Sequence, residues 1–453
     1  MKILKYSYIW TLAVTFTLSS CEKFLEIDPR ISTSDQVTIN DENSAHTAVR
    51  GIYNQLQSDG YYGYTFQTIG FFSGDNIEYT GSQIVNQSLT NHSVRADLPA
   101  LATAWTAIYN TINRANNVIA KVPALSVTPT FTDAVRNQLV GEAHFLRALS
   151  YFDLGRTWGG VQLVLVPTSS SNNLENLKRS SLADTYRQVL ADLIKAEELL
   201  PNSTNRIRAT RKTVWALRAR YHLYREEWKE AITYASKLID DKSNYNLLTP
   251  YSSFFADNAS GTNESILELY YTTNVVNTQA YQWQPSTKGG VGWIRPSMGI
   301  VNLLNNKSIA GTRQSLISKV VLNGVDNWFG NLYYRTNGTD PAFLIRIAEL
   351  YLIRAEAYAQ DNDIAKSLAD LNVIRKRADI QELNIADKAT LLLAIEQENR
   401  IEFAFENHRW YDLVRTRRAK TVLGIDEDFR LLLPIPYAQI LIDKNLEQNP
   451  QYK

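Results

Sequence analysis

The densest run of reactive side chains is Glu398-Asn399-Arg400-Ile401-Glu402-Phe403-Ala404-Phe405-Glu406-Asn407-His408-Arg409-Trp410-Tyr411-Asp412. Glu398, Glu402 and Glu406 are spaced to lie on one helix face. Two carboxyls flanking a bond at a set separation could act as a glycosidase acid and base. The alternative is an ion-pair seam in which they meet Arg400, Arg409 and Arg415 between packed helices, since a buried carboxylate needs a cationic partner. The histidines His46, His92, His144, His222 and His408 are scattered, and none forms the His-Glu-x-x-His arrangement of a zinc protease. The chain has no Gly-x-Ser-x-Gly elbow, phosphate loop or dinucleotide fingerprint. Asp361-Asn362-Asp363 lacks the rest of a calcium loop and reads as a turn.

A second chemistry is binding without reaction. Tyr (25) outnumbers Phe (15), and there are 9 Trp, which suits surfaces that are half apolar and half hydrogen-bonding. Sugars present flat C–H faces to aromatic planes and hydroxyls to Asn, Asp, Gln and Arg, and concave sites combine the two. Two stretches poor in helical period carry such residues. One offers Tyr61, Tyr62, Phe72, Asp75, Asn76 and Tyr79; the other offers Tyr281, Trp283, Trp293, Arg295 and Trp328. Trp283 and Trp293 stand in a Gln/Pro/Gly/Ser setting with little local core to join. Trp105, Trp215, Trp228 and Trp410 fall on helical patterns and read as core.

The third reactive group is the lone thiol, Cys21. Lys2 and Lys5, an apolar run from Tyr8 to Leu18 and the small residues Ser19-Ser20 precede it, which is the order of a secretory signal. The run is too short to span a bilayer. Small residues ending on cysteine form a lipobox pattern, so residues 1–20 are expected to be removed and Cys21 to carry lipid. No internal disulfide is then available. Charge is balanced at 47 Lys+Arg against 46 Asp+Glu, which leaves no basic excess to attract nucleic acid.

These groups must be positioned mainly by helices. Residues 21–40 read as an extended leader. Helices are expected over Glu42–Gln57, about Ala100–Lys121, Asp133–Gly155 and Ser181–Leu200, with Gly155 as a stop and Ser181 as a cap. Val161–Pro167 reads as a strand or an extended core segment, and Ser265–Tyr271 as a strand. Paired helices with tetratricopeptide-type spacing are expected at about 212–239, 341–377 and 388–420. Trp215, Ala219 and Ala231, then Tyr351, Ala355 and Tyr358, occupy the large and small positions of that repeat. Three degenerate hairpins imply a helical solenoid. The irregular segments, about 60–95 and 245–340, are where function is expected.

The Glu398–Asp412 cluster, continuing to Leu413 and Arg415, resembles the C-terminal signature of the SusD/RagB family, the starch-utilisation-type nutrient-binding outer-membrane lipoproteins of Bacteroidetes-type bacteria. Cys21–Pro29 resembles that family's mature start, Gly141–Ala148 its central helix, Arg346–Tyr358 and Leu371–Ala378 its hairpins, and Leu433–Pro436 with Gln448–Pro450 its ending. Gln162 stands where the family usually has proline. The resemblance spans nearly the whole chain. It implies one mainly α domain over 41–453, with four tetratricopeptide-like units and an irregular ligand-facing half. It also implies a lipid anchor at Cys21, a SusC-like TonB-dependent transporter as partner, an oligosaccharide ligand, no cofactor or metal, and no catalysis. A branch of the family binds peptides, which stands as the alternative, with a surface glycosidase using Glu398, Glu402 or Glu406 as a third reading.

Overall fold

The structure, a computed structural model, describes residues 39–168, 177–322, 324–443 and 445–452. Cys21, the signal segment and nearly all of the leader lie outside them. Residues Asn40–Lys453 form one compact unit.

Side-chain caps and left-handed residues cut this unit into its elements. Asp41 accepts from the Ser44 amide at 2.7 Å and opens α1 (Glu42–Gln57). After it come α2 (Thr65–Ser73), β1 (Ile77–Tyr79), α3 (Ile84–Thr90), and α4 (Pro99–Lys121) with proline in its first turn. Thr132 caps α5 (Asp133–Trp158), and Ser181 caps α6 (Leu182–Leu199). The hairpin α7 (Arg211–Tyr224) and α8 (Trp228–Ile239) precedes a region of short elements. That region holds β2 (Ser265–Leu269), α9 (Gln279–Trp283), β3 (Ile294–Pro296), α10 (Met298–Asn305), α11 (Lys307–Ala310), β4 (Ile317–Leu322), β5 (Val325–Gly330) and β6 (Ala342–Arg346). A second hairpin, α12 (Ile347–Gln360) and α13 (Ile364–Arg377), leads to α14 (Lys388–Glu402), α15 (Arg409–Arg415), α16 (Ala419–Leu423) and α17 (Tyr437–Ile442).

The fold is mostly helical. Its helices pack on one another largely in chain order, α4 on α5, α5 on α6, α7 on α8, and α12 on both α8 and α13. Among the described residues the strands form three antiparallel pairs, β1 with β3, β2 with β6, and β4 with β5.

Several elements differ from the sequence reading. α5 runs past Gly155 to Trp158 and ends at Gly159, whose φ of +82° is the left-handed stop. Gly155 instead lets the Tyr186 ring approach: a Cβ there would sit 3.0 Å from Tyr186 Cε1. Pro341–Arg346, read as the start of a helix, is extended; Ala342–Arg346 forms the fully buried strand β6. Val161–Pro167 joins no sheet, and its Val164 carbonyl accepts from Tyr151 Oη and Asn116 Nδ2. The helix α2 was hidden because Phe66 through Ser73 are all buried, so no apolar stripe marks it. In the third expected hairpin the second helix is only Arg409–Arg415, since Phe403–His408 breaks the run.

A buried ionic cluster ties the helices to the region of short elements. Arg346, at the end of β6, meets Glu264 at 2.7 Å, Glu402 at 3.1 Å and Glu406 at 2.6 Å. Arg377 on α13 pairs with Glu264 and Glu402. Arg313 reaches Glu398 at 2.5 Å, and Arg375 holds its other oxygen at 2.9 Å. The rings of Phe254 and Phe403 lie 4.3 and 4.7 Å from the Arg346 guanidinium carbon. Burial pushes the Glu402 carboxyl up, but Arg377, Arg346 and Arg313 outweigh it and hold the group below its ordinary value. Burial wins at Glu406, whose carboxyl is raised. The sequence reading foresaw an ion-pair seam but named the wrong cations; Arg400, Arg409 and Arg415 bind Asp75, Glu396, Glu356 and Asp412 instead.

Arg346→Leu leaves the buried Glu406 without an ion-pair partner among the described residues and should cost about 3–5 kcal/mol in urea unfolding. A loss below about 1 kcal/mol would show that the cluster does not hold the fold. The His408 imidazole, stacked on Phe403 at 4.4 Å, is held well below its ordinary value, chiefly by burial and also by Arg220. A lowered histidine contributes stability that is complete above the unfolded value of about 6.5 and is lost as pH falls toward the folded one. The melting temperature should therefore fall between about pH 6.5 and pH 5, less steeply in His408→Asn. Parallel slopes in the two proteins would contradict this role.

Candidate functional site

The carboxylates that invited an enzymatic reading are closed to substrate. Glu402 and Glu406 share the Arg346 guanidinium, and Glu398, Glu402 and Glu406 are all buried. No sugar can enter between carboxyls that grip the same cation. Among the described residues no group of three His, Cys, Asp or Glu could hold a metal.

Tyr61, Tyr62, Phe72 and Asn76 of the first predicted set are buried. The hydroxyls of Tyr61 and Tyr62 both donate to Asp153 Oδ2 at 2.7 Å, and burial raises both phenols well above their ordinary value. Phe72 is buried edge-on against Tyr79, 5.2 Å away. Asp75 accepts from Arg409 Nε at 2.6 Å and pairs with Arg400 at 2.9 Å. Asn76 is buried, donates to the Arg400 carbonyl at 3.1 Å and accepts from Arg400 Nε at 2.8 Å. Asp75 and Asn76 thus lock β1 to α14 and α15. Tyr79 is half-buried on β1 opposite Ile294.

Of the second set, Trp283, Arg295 and Trp328 are brought together at one recess. In the β1–β3 ribbon Glu78 lies opposite Arg295, and the Thr80 amide donates to the Trp293 carbonyl at 2.9 Å, extending the pairing. Alternation places Trp293 and Arg295 on the same face. Arg295 Nε donates to the Gly292 carbonyl at 2.9 Å, and its Nη1 donates to Asn327 Oδ1 at 3.1 Å on β5. This fixes the guanidinium beside a recess of about 60 Å³ whose walls include Trp283, Arg295, Asn327, Trp328 and Phe329. Trp328 is half-buried, with Lys319 5.5 Å from its ring centre across the β4–β5 pair. Tyr281 is 55% exposed nearby in sequence on α9.

Trp283 is a correction. It is 1% exposed, packed against Phe405 at 5.0 Å and Phe71 at 5.9 Å, with its indole N–H donated to Gln279. Gly330 gives it room: a Cβ there would lie 2.6 Å from the indole. Trp283 therefore backs the recess from inside while Trp293 and Trp328 remain half-exposed. Asn327 and Lys319 were missed. Alternating residues around Asn323-Gly324 are a strong hairpin signal, and reading it would have set Lys319 opposite Trp328.

A second hollow of about 350 Å³ lies between α12, α14 and α15. No aromatic residue lines it, and its charges are committed to each other, as in Arg415 to Glu356 at 2.6 Å and Arg418 to Glu396 at 2.8 Å. It has no flat face for a sugar.

Comparison with known proteins agrees with this architecture. Residues 23–223 match the SusD-like family described as starch-binding and associating with the outer membrane, and residues 329–430 match the SusD family. The chain belongs to the SusD/RagB family. It is 25% identical to SusD-like protein P38 of Formosa agariphila over 96% of each chain. It is 24% identical to a SusD-like protein of Bacteroides ovatus over 91% of this chain and 83% of that one. A SusD superfamily structure from Bacteroides vulgatus superposes with a TM-score of 0.81 at 20% identity, covering 90% of this chain and 99% of the other. A laminarin-binding SusD-like protein gives 0.78 at 20% identity, covering 91% and 100%. Among the described residues no helix is long and apolar enough to cross a membrane.

The burial pattern separates support from site. Trp283→Ala should cost about 3–5 kcal/mol in stability, whereas Trp328→Ala and Tyr281→Ala should each cost less than about 1 kcal/mol by the same unfolding measurement. Equal losses at all three would place Trp328 in the core.

Proposed function

We propose that this chain is a cell-surface lipoprotein that binds oligosaccharides without altering them and passes them to a SusC-like TonB-dependent transporter in the same outer membrane. The observation that carries the reading is the meeting of Trp328, Arg295 and Asn327 at one half-open recess, with Trp293 half-buried on the same ribbon face as Arg295. Indole planes supply faces for sugar rings, and the guanidinium and carboxamide supply polar contacts. Tyr281 adds an exposed phenol on the neighbouring α9. Membership of a carbohydrate-binding family and the likeness to a laminarin-binding protein support the same ligand class. The Cys21 lipobox supports anchorage, with residues 21–40 as tether and 41–453 as the binding body.

Trp293→Ala and Trp328→Ala should each weaken glycan binding by about tenfold or more, about 1.4 kcal/mol, without shifting the melting temperature. Binding to a peptide panel but to no glycan would favour peptide import instead. Hydrolysis of the bound oligosaccharide would overturn the non-enzymatic reading. Cys21→Ala should move the protein from the outer-membrane fraction to the soluble one, and retention in the membrane would argue against the lipid anchor.

A further inference from the structure

The recess beside Arg295 is too small for a sugar ring. Its volume of about 60 Å³ suits a ring substituent, either the hydroxymethyl of a neutral hexose or an oxyanion. The polar groups around it separate these two. A hydroxyl both donates and accepts, while a carboxylate or sulfate only accepts. Two acceptors beside Arg295 are already engaged. The Gly292 carbonyl takes Arg295 Nε at 2.9 Å and Thr80 Oγ1 at 3.2 Å, and Asn327 Oδ1 takes Arg295 Nη1 at 3.1 Å. The uncommitted cationic donor is on Arg295. Arg295 Nη2 has no hydrogen-bond partner among the described residues, and the Ser286 hydroxyl at the wall is also uncommitted there.

Charge points the same way. Neither Arg295 nor Lys288, whose Nζ lies 5.5 Å from the Phe329 ring centre, has a carboxylate within ion-pair distance among the described residues. Lys319 is neutralised by Asp326 at 2.6 Å. Glu78, across the ribbon from Arg295, is the opposing charge. Burial, the larger effect, raises its carboxyl, and Arg295 lowers it in part.

We propose that the recess selects acidic glycans, with a sugar oxyanion seated on Arg295 Nη2 while the ring to which it is attached lies against Trp328. This rests on the glycan-binding reading above and names the substrate class. A guanidinium already held by two hydrogen bonds loses little freedom on binding, and its contact with an anion is charge-assisted.

The test is titration calorimetry on the lipid-free chain with paired oligosaccharides. The pairs are galacturonate and alginate oligomers with their carboxyl-reduced forms, and sulfated galactan oligomers with their desulfated forms. Laminarin oligomers serve as a neutral reference. The expected result is that an acidic member binds at least about tenfold tighter than its neutralised partner and weakens as salt rises. That preference should vanish in Arg295→Gln, the acidic member losing at least about tenfold more affinity than its neutralised partner, while the melting temperature stays within about 2 °C. Preference for the carboxylated pairs identifies a uronate, and preference for the sulfated pair identifies a sulfate ester. Binding that is equal within pairs, or confined to neutral glycans, overturns the selectivity but leaves the glycan reading standing. No binding to any oligosaccharide overturns both.

Discussion

Everything in this fold depends on keeping the charges of Arg313, Arg346 and Arg377 and of Glu264, Glu398, Glu402 and Glu406 satisfied away from water. An uncompensated charge in such a place costs several kcal/mol, so each element supplying one must be in position for the others to remain. The cluster draws on β6, α13, α14, the turn before β4 and the segment before β2. It therefore sets the region of short elements against the helices at one register. Geometric selection of this kind, more than net energy, is what a buried ionic network supplies here, since apolar packing of the same volume could stabilise as well.

The aromatic recess inherits its shape from that register. β2 and β6 are paired and buried, Asp75 and Asn76 pin β1 to α14 and α15, and β1 in turn carries β3 with Trp293 and Arg295. Phe405, one residue before Glu406, packs on Trp283, which backs the recess. A short path of packed residues thus connects the charge cluster to the recess. Trp328 and Tyr281 carry little of the packing.

The sequence was most legible where physical signals are local. Ser181 caps its helix, and α4, α6 and α8 lie within a residue or so of their expected bounds. It was least legible where burial is all-round. α2 and β6 have no polar face, so neither the helical nor the strand period is visible in them. The same limit divided the site. Tyr61, Tyr62 and Phe72 sit in a polar-looking stretch yet point inward, because Asp153 gives the two phenols a buried partner and Tyr79 covers Phe72. Trp283 looked exposed because its cage comes from residues distant in sequence, Phe71 and Phe405. Arg295 and Trp328 were legible as candidates, but their meeting at one recess depends on Asn327 and the strand pairings.

The most direct measurement is the crystal structure of the chain with an oligosaccharide it binds. A sugar ring against Trp328 or Trp293, within hydrogen-bond reach of Arg295 and uncleaved, is the predicted result. A ligand seated in the α12–α14–α15 hollow with the aromatic recess empty, or a cleaved sugar beside the Glu398–Glu406 carboxylates, would contradict it.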